Sequence, residues 1–209
     1  MREAPPGNSQ DHGRGAAVRP MVLALGGSTR ALSTSEAAVR LAAEGAAQAG
    51  ADVHILAGRD LMLPIYDADN PDRAPEAERL ITLTRQADGL IIVSPGYHGG
   101  PSGMVKNALD YFEDLRDDSG SPYLDGRAVG CVAVAHGWQA AVGTLHQLRQ
   151  VVHALRGWPT PFGAVVNSSE VRLDDPSAAP AAVEQLHLVG QQVVEFARMR
   201  LAYREGSRT

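Results

Sequence analysis

The sequence has very little cysteine and lysine. Cys131 is the only cysteine among 209 residues, so no disulfide can form within the chain. Lys106 is the only lysine, and the formal net charge is -5. A chain without a basic excess is poorly suited to nucleic acid. No apolar run approaches the roughly 20 residues of a membrane helix, and the start, MREAPPGNSQDHGRG, lacks the apolar stretch of a secretory signal. These absences favour a protein of the reducing cytoplasm that binds neither nucleic acid nor membrane.

Clusters of catalytic or metal-binding side chains are also missing from the sequence. The seven histidines are scattered, and no cysteine or carboxylate joins any of them at ligand spacing, so we predict no metal site. No nucleophile, histidine and carboxylate stand together as a relay. Cys131 lies inside an apolar run and is predicted to be an inert, buried thiol.

What is present is a regular alternation of short apolar runs and helical patterns. Residues 1–19 indicate a disordered leader, 20–203 a single domain and 204–209 a tail. The predicted strands are Pro20–Gly26, Asp52–Leu56, Gly89–Ser94, Arg127–Ala135 and Pro161–Val166. The predicted helices are Ala37–Ala49, Glu76–Gln86, Ser102–Leu115, Gln139–Leu155 and Ala178–Tyr203.

This alternation predicts an α/β fold with a parallel sheet and helices on both faces. Five strands suit a flavodoxin-like three-layer sandwich of strand order 2-1-3-4-5, and the six-stranded Rossmann order is the alternative. In either fold a ligand binds beyond the carboxyl ends of the strands. The candidate site is therefore built by residues 27–35, 95–103 and 135–141.

The first of these loops has the composition of a phosphate-binding loop. Small residues and hydroxyls surround Arg30 between Gly26 and Ser35, and the following helix offers free N–H groups and a partial positive charge. The loop matches neither the Walker pattern nor the dinucleotide Gly-x-Gly-x-x-Gly pattern. The other interpretation is an ordinary capped helix start.

The second loop, Ser94–Gly103, is rich in proline and glycine and carries Tyr97 and His98. A rigid loop with exposed backbone amides and flat side chains suits a planar heteroaromatic ring. One alternative interpretation is an ordinary surface turn. Another is that His98 acts as an acid or base.

Together these loops resemble those of the NADPH-dependent FMN reductase family, which includes flavin, quinone, azo-compound and chromate reductases. The likeness runs from about Met21 to Val166. It rests on Gly27-Ser28-x-Arg30-x-x-Ser33, Pro95-x-Tyr97-His98-Gly99 and Gly103-x-x-Lys106-Asn107-Ala108-Leu109-Asp110. Ser35 stands where the family often has Asn, and Trp138 is bulkier than the residue usual there.

The resemblance implies a set of cofactor contacts. Ser28, Arg30, Ser33 and Ser35 would surround the FMN phosphate. Pro95, Gly96, Tyr97, His98 and Gly99 would line the isoalloxazine ring, and His136, Gly137 and Trp138 would close its other side. Lys106 is interpreted as structural, against a role as a nicotinamide-phosphate ligand. The apolar pair Tyr111–Phe112 suggests packing across a dimer.

The resemblance also implies an FMN-dependent oxidoreductase. NADPH, with NADH as the alternative, would pass a hydride to flavin N5, and free flavin, a quinone or a similar acceptor would then take the electrons in a ping-pong cycle that needs no catalytic side chain. Family members are dimers or tetramers, and one candidate partner is a flavin-dependent monooxygenase.

Two competing functions follow from the same fold. The first is a flavodoxin-type electron carrier that binds FMN but lacks a nicotinamide site; Arg30 and the absence of a hydroxyl-x-hydroxyl-Gly-x-hydroxyl run argue against it. The second is a binding module without flavin, which the fold alone would permit.

Overall fold

The structure, a computed structural model, describes residues 19–118, 120–175, 177 and 179–207. The predicted leader therefore lies outside the described residues, apart from Arg19. No helix in the described ranges is long and apolar enough to cross a bilayer.

Parallel strands form the centre of the molecule. The strands are β1 (Met21–Gly26), β2 (Asp52–Ala57), β3 (Gly89–Tyr97), β4 (Gly100–Pro101), β5 (Ala128–Ala135), β6 (Trp158–Pro159) and β7 (Ala164–Asn167). The sheet runs β2-β1-β3-β5, with β6 and β7 following one another along the outer edge of β5. Every residue of β5 is buried, as expected for a strand covered by helices on both faces.

The helices cover both faces of this sheet. They are α1 (Thr34–Gln48), α2 (Pro75–Gln86), α3 (Gly103–Asp110), α4 (Trp138–Ala154) and α5 (Pro180–Gly206), with short 3-10 turns at Gly58–Leu61 and Tyr111–Leu115. Alternate strand residues face opposite layers: Leu23 packs with α2, α3 and α4, whereas Val22 packs with α1 and α5. The predicted three-layer α/β sandwich is confirmed.

The predicted order 2-1-3-4-5 holds for the five principal strands, although two-residue pieces bring the sheet to seven. The fifth strand, predicted as Pro161–Val166, begins only at Ala164 as β7, and the two-residue β6 precedes the predicted start. Pro161 has no N–H to donate, and the Phe162 N–H donates to Gln192 Oε1 at 3.0 Å, outside the sheet. Arg149 holds the Thr160 and Pro161 carbonyls at 3.0 and 2.8 Å, which stabilises the interruption.

Three further details differ from the sequence predictions. The helix predicted over Ser102–Leu115 ends at Asp110 and continues as a 3-10 turn. Tyr111 and Phe112 in that turn are only 3% and 0% exposed, so the interpretation that this pair packs across a dimer is wrong. Helix α5 runs to Gly206, three residues beyond its predicted end.

The prediction for Cys131 is confirmed. Its side chain is 1% exposed inside β5, and burial raises the pKa of the thiol to about 12. A thiol that stays protonated at neutral pH is a poor nucleophile.

Helices α1 and α5 cross in close contact because each has a glycine at the crossing. A Cβ on Gly190 would lie 2.2 Å from the Ala42 carbonyl oxygen, and a Cβ on Gly45 would lie 2.4 Å from His187 Cα. Both distances are shorter than real Cβ contacts, so backbone would have to move.

We expect Gly190→Ala to lower the free energy of unfolding by about 1–3 kcal/mol, because the added methyl group overpacks the crossing. Chemical denaturation followed by circular dichroism measures this change. Gly103→Ala is the matched control: that glycine begins α3, is exposed, and a Cβ added to it would meet no atom within 4 Å. Equal stability losses in the two variants would contradict the proposed role of the crossing.

Candidate functional site

A cleft of about 840 Å³ opens at the carboxyl ends of the parallel strands. Loops after β1, β3, β5 and β7 surround it. Its lining includes Ser28, Arg30, Ser33, Ser35, Pro95, Gly96, Tyr97 and His136, all predicted from the sequence, together with Ser168, Val171, Arg172 and Asp174. This volume is in the range of small-molecule sites.

The loop after β1 presents backbone and hydroxyl donors to this cleft. Gly27 has a φ of +95°, a conformation that favours glycine. Ser33 caps α1: its hydroxyl accepts from the Glu36 N–H at 3.1 Å. Thr34 and Ser35 begin the helix, where backbone N–H groups lack intrahelical acceptors. The arrangement suits an anion at the positive end of the helix dipole.

Three arginines contribute positive charge to the cleft, but two are already paired. Arg40 donates to Glu36 at 2.8 Å, and Arg172 donates to Asp174 at 2.7 Å. The hydrogen bond from Arg172 lowers the pKa of the Asp174 carboxyl. Arg30 has no ion pair among the described residues. It is therefore the cation most available to a bound phosphate.

Hydrogen bonds to Ser94 and Gln147 hold the loop after β3 rigidly in place. The buried Ser94 hydroxyl accepts from the Ser102 N–H at 2.9 Å, and Gln147 on α4 donates to the Gly99 carbonyl at 2.8 Å. A Cβ on Gly96 would lie 2.5 Å from Thr144 Oγ1. The loop therefore depends on glycine at this position, and its backbone faces the cleft directly.

The side chains of this loop lie at different places. Tyr97 is 58% exposed and lines the cleft. His98, with a φ of 54°, and Gly99, with a φ of 84°, form the tip of the β3–β4 hairpin. Neither residue is part of the cleft lining. The structure thus brings Pro95, Gly96 and Tyr97 into the site and places His98 and Gly99 at its border.

A buried asparagine connects the loop after β5 to the loop after β7. Asn167, 2% exposed, accepts from the Gly137 N–H at 2.8 Å and from the Ser169 hydroxyl at 2.7 Å. Its amide donates to Glu170 Oε1 at 2.7 Å, and the same oxygen accepts from the Trp138 indole at 3.0 Å. We call these contacts of Asn167, Glu170 and Trp138 the latch. The latch turns Trp138 toward Glu170, so Gly137 and Trp138 border the cleft, whereas His136 lines it.

Sequence reasoning missed the wall formed after β7, which contains Ser168, Val171, Arg172 and Asp174. A signal was present: this segment follows the fifth predicted strand, and all parallel strands end at the same edge of the sheet. The polar run Asn167-Ser168-Ser169-Glu170 after an apolar strand was the available indication.

Next to the site, the segment after the first 3-10 turn is fixed to α3. Asn107 accepts from the Tyr66 N–H at 2.9 Å and donates to the Pro64 carbonyl at 2.8 Å. Arg73 pairs with Asp114 through two hydrogen bonds of 2.7 and 2.8 Å. Arg73 also lowers the pKa of the Asp114 carboxyl. Asn107 thus holds this segment in place.

Lys106 points away from the cleft. Its ammonium group contacts Asp110 at 2.5 Å one helical turn later, and its side chain is about half exposed. It is absent from the cleft lining, which favours the structural interpretation. Among the described residues, no three His, Cys, Asp or Glu side chains come close enough together to hold a metal ion.

The arrangement fits FMN. The phosphate would be held by the loop after β1, with Arg30 and the first turn of α1, and the ring would lie against the backbone of Pro95–Tyr97. Gly27 has a φ of +95°, and a Cβ on Gly96 would collide with Thr144, so the course of both loops depends on glycine. A site of this size with one apolar wall and a few aimed donors is typical of cofactor binding.

Comparison with known sequences agrees with this arrangement. The model of the NADPH-dependent FMN reductase family matches residues 20–171. An NADPH azoreductase of Bacillus sp. (strain OY1-2) is 30% identical over 111 residues, which are 53% of this chain and 58% of that protein. A quinone reductase of Escherichia coli (strain K12) is 39% identical over 67 residues, which are 30% of this chain and 36% of that protein. The matched segments thus span less than two thirds of either relative.

Comparison with solved structures supports the fold. FerB, a flavoenzyme NAD(P)H:(acceptor) oxidoreductase from Paracoccus denitrificans, superposes with a TM-score of 0.67 at 17% identity. The superposition covers 85% of this chain and 98% of FerB. At this level of identity the likeness shows a shared fold.

We expect Glu170→Ala to release Trp138 from the latch, because the indole N–H and the Asn167 amide both lose their acceptor. The chain has two tryptophans, so the measurement uses a Trp158→Phe background in which Trp138 is the only one. Its emission should shift to longer wavelength, and the free energy of unfolding should fall by about 1 kcal/mol. Glu170→Gln is the control, since its amide oxygen can accept both bonds. Identical spectra for the Ala and Gln variants would contradict the latch.

Proposed function

Because the chain belongs to the NADPH-dependent FMN reductase family, we propose that it is an FMN-dependent enzyme that oxidises NADPH and reduces a small acceptor. The acceptor is a quinone, an azo compound or free flavin. The observation that carries the proposal is that the loop after β1, with Arg30 and the start of α1, and the glycine-containing loop after β3 line the same cleft. Family membership confirms the predicted FMN and NADPH cofactors at the level of the family.

The protein's own residues bind the cofactor, orient it and shield it. Arg30 and the N–H groups of Thr34 and Ser35 hold the phosphate end, and the rigid backbone at Pro95–Gly96 supports the ring from one side. When bound, FMN supplies a hydride acceptor at N5, which the protein positions and tunes. The chemistry therefore requires no catalytic side chain.

We further propose that the nucleotide and the acceptor use the same open side of the cleft in turn, which is a ping-pong order. The support is spatial: the walls after β3, β5 and β7 are fixed by Ser94, Gln147 and the latch, and the nucleotide and the acceptor would both have to reach the flavin through this cleft. The azoreductase and quinone reductase relatives supply the acceptor classes.

We also propose a reducing cytoplasm as the location, because a single cysteine can form no disulfide within the chain. A homodimer or homotetramer, and a flavin-dependent monooxygenase as a partner that uses reduced flavin, are proposed from the resemblance to the family.

The purified protein with FMN should oxidise NADPH in the presence of an excess of quinone, azo dye or FMN, as followed by the absorbance of the reduced nucleotide. A ping-pong order gives parallel lines in double-reciprocal plots at several fixed acceptor concentrations. The ratio of the rates with NADPH and NADH gives the nucleotide preference. If FMN binds but neither nucleotide is consumed, the enzyme proposal fails and an electron carrier takes its place.

We expect Arg30→Gln to weaken FMN binding about ten- to a hundredfold, because a charge-assisted contact to the phosphate is lost. Fluorescence titration with FMN measures the change. Riboflavin, which lacks the phosphate, should bind the variant and the wild type equally. Arg79→Gln, which removes the same charge from the exposed face of α2, should leave FMN affinity unchanged. A parallel loss of riboflavin affinity would contradict the assignment of Arg30 to the phosphate.

A further inference from the structure

A second cleft lies at the opposite end of the sheet, where the strands begin. Its volume is about 320 Å³. The end of α2, the start of β3, the segment before β5 and the last turns of α5 enclose it. Four arginines line this small space: Arg85, Arg127, Arg200 and Arg204. This concentration of positive charge contrasts with the formal net charge of -5 for the whole chain.

Arg127 is buried in the floor of this cleft with neutral partners. It is 9% exposed. Its guanidinium donates to the carbonyls of Ala87 at 2.8 Å, Tyr123 at 2.9 Å and Arg85 at 3.1 Å. Burial, and then the neighbouring charge of Arg204, lower the pKa of this guanidinium. An arginine nevertheless stays charged at neutral pH, so the floor carries a buried positive charge.

The guanidinium group of Arg200 lies against Gly126, at a place that a larger side chain would fill. A Cβ on Gly126 would lie 2.8 Å from Arg200 Nη2 and 3.0 Å from Nε. Arg200 Nε is buried and has no hydrogen-bond partner among the described residues. A buried donor without an acceptor is costly, and none of the described residues forms an ion pair with this guanidinium, whose side chain lines the cleft.

The carboxylates nearby do not balance these charges. Asp118 holds Arg85 through bonds of 2.8 and 3.1 Å. Asp88 lines the cleft and accepts the Met21 N–H at 2.9 Å. Within the described residues no ion pair is formed by Arg127, Arg200 or Arg204. The four guanidiniums of the cleft thus stand against the three carboxylates that act on Arg127, which are Asp118, Asp88 and Asp125, so an excess of positive charge remains.

We propose that this second cleft binds a phosphate group, either inorganic phosphate or the phosphate end of a small ester. Guanidinium groups match the oxygens of a phosphate in geometry and charge. A doubly charged oxyanion would accept from the guanidinium groups of Arg200 and Arg204, which line the cleft, and would relieve the repulsion between Arg127 and Arg204. The cleft holds a phosphate and a few carbon atoms, which excludes an extended polymer. The site is separate from the cleft assigned to FMN and does not depend on that assignment.

The test is isothermal titration calorimetry of the full chain, saturated with FMN so that phosphate is kept out of the first cleft. Inorganic phosphate is titrated at constant chloride concentration, and ribose 5-phosphate is titrated separately. We expect saturable binding of one phosphate per chain. Arg200→Gln and Arg204→Gln should each weaken it by roughly tenfold or more, whereas Arg79→Gln, with the same loss of charge, should not. Tighter binding of ribose 5-phosphate assigns the site to an ester, and tighter binding of phosphate assigns it to the inorganic ion.

Three results would overturn the proposal. They are the absence of saturable binding to the wild type, unchanged affinity in both cleft variants, and an equal loss in Arg79→Gln. Arg204 is exposed, so its variant keeps the test decisive even if Arg200→Gln does not fold. Should FMN fail to bind, the same titrations without FMN still compare cleft variants with the control, so failure of the first proposal is distinguished from failure of this one.

Discussion

The parallel hydrogen bonding of β1, β3 and β5 is the constraint on which the other features depend. Their registers pair Gly26 with Val93 and Pro95 with Val134, so these strands end at one edge of the sheet. The chain must then leave that edge through loops, and loops with free backbone groups collect there. The apolar sequences of the strands, buried on both faces, stabilise this arrangement without any contribution from the loops. The loops are therefore free to carry binding residues.

Rigid support of the loops comes from a small number of polar side chains that are buried or half-buried. Ser94, Asn107 and Asn167 each connect segments that are distant in sequence or belong to different loops. A buried amide or hydroxyl makes such a connection specific because leaving its partners unpaired is costly. The cleft is thus organised by side chains that do not all line it. This separation lets Trp138 border the site while its indole is held by Glu170.

The two ends of the sheet differ in how their positive charge is arranged. At the carboxyl end, Arg30 stands beside a helix start and two arginines already paired with carboxylates. At the amino end, Arg127, Arg200 and Arg204 share a smaller cleft without ion pairs among the described residues. Both arrangements favour anions, but the first adds the N–H groups of α1 and an open wall for a ring. The larger cleft is therefore the one proposed for FMN, and the smaller cleft is the one proposed for a phosphate group.

Much of the fold and part of the site followed from the sequence. Buried apolar runs, the Ser33 cap and the loops around Arg30 and Tyr97 are local patterns, and local backbone preferences decide them. Other features depend on contacts between distant segments. They are the interruption at Pro161 between β6 and β7, the burial of Tyr111 and Phe112, and the wall after β7. The latch and the position of Arg200 beside Gly126 depend on such contacts too. The sequence by itself determined the layers, the order of the principal strands and the composition of the loop after β1. Only the tertiary structure decided which side chains meet, because a residue's partner across the fold is set by packing and not by its neighbours in the chain.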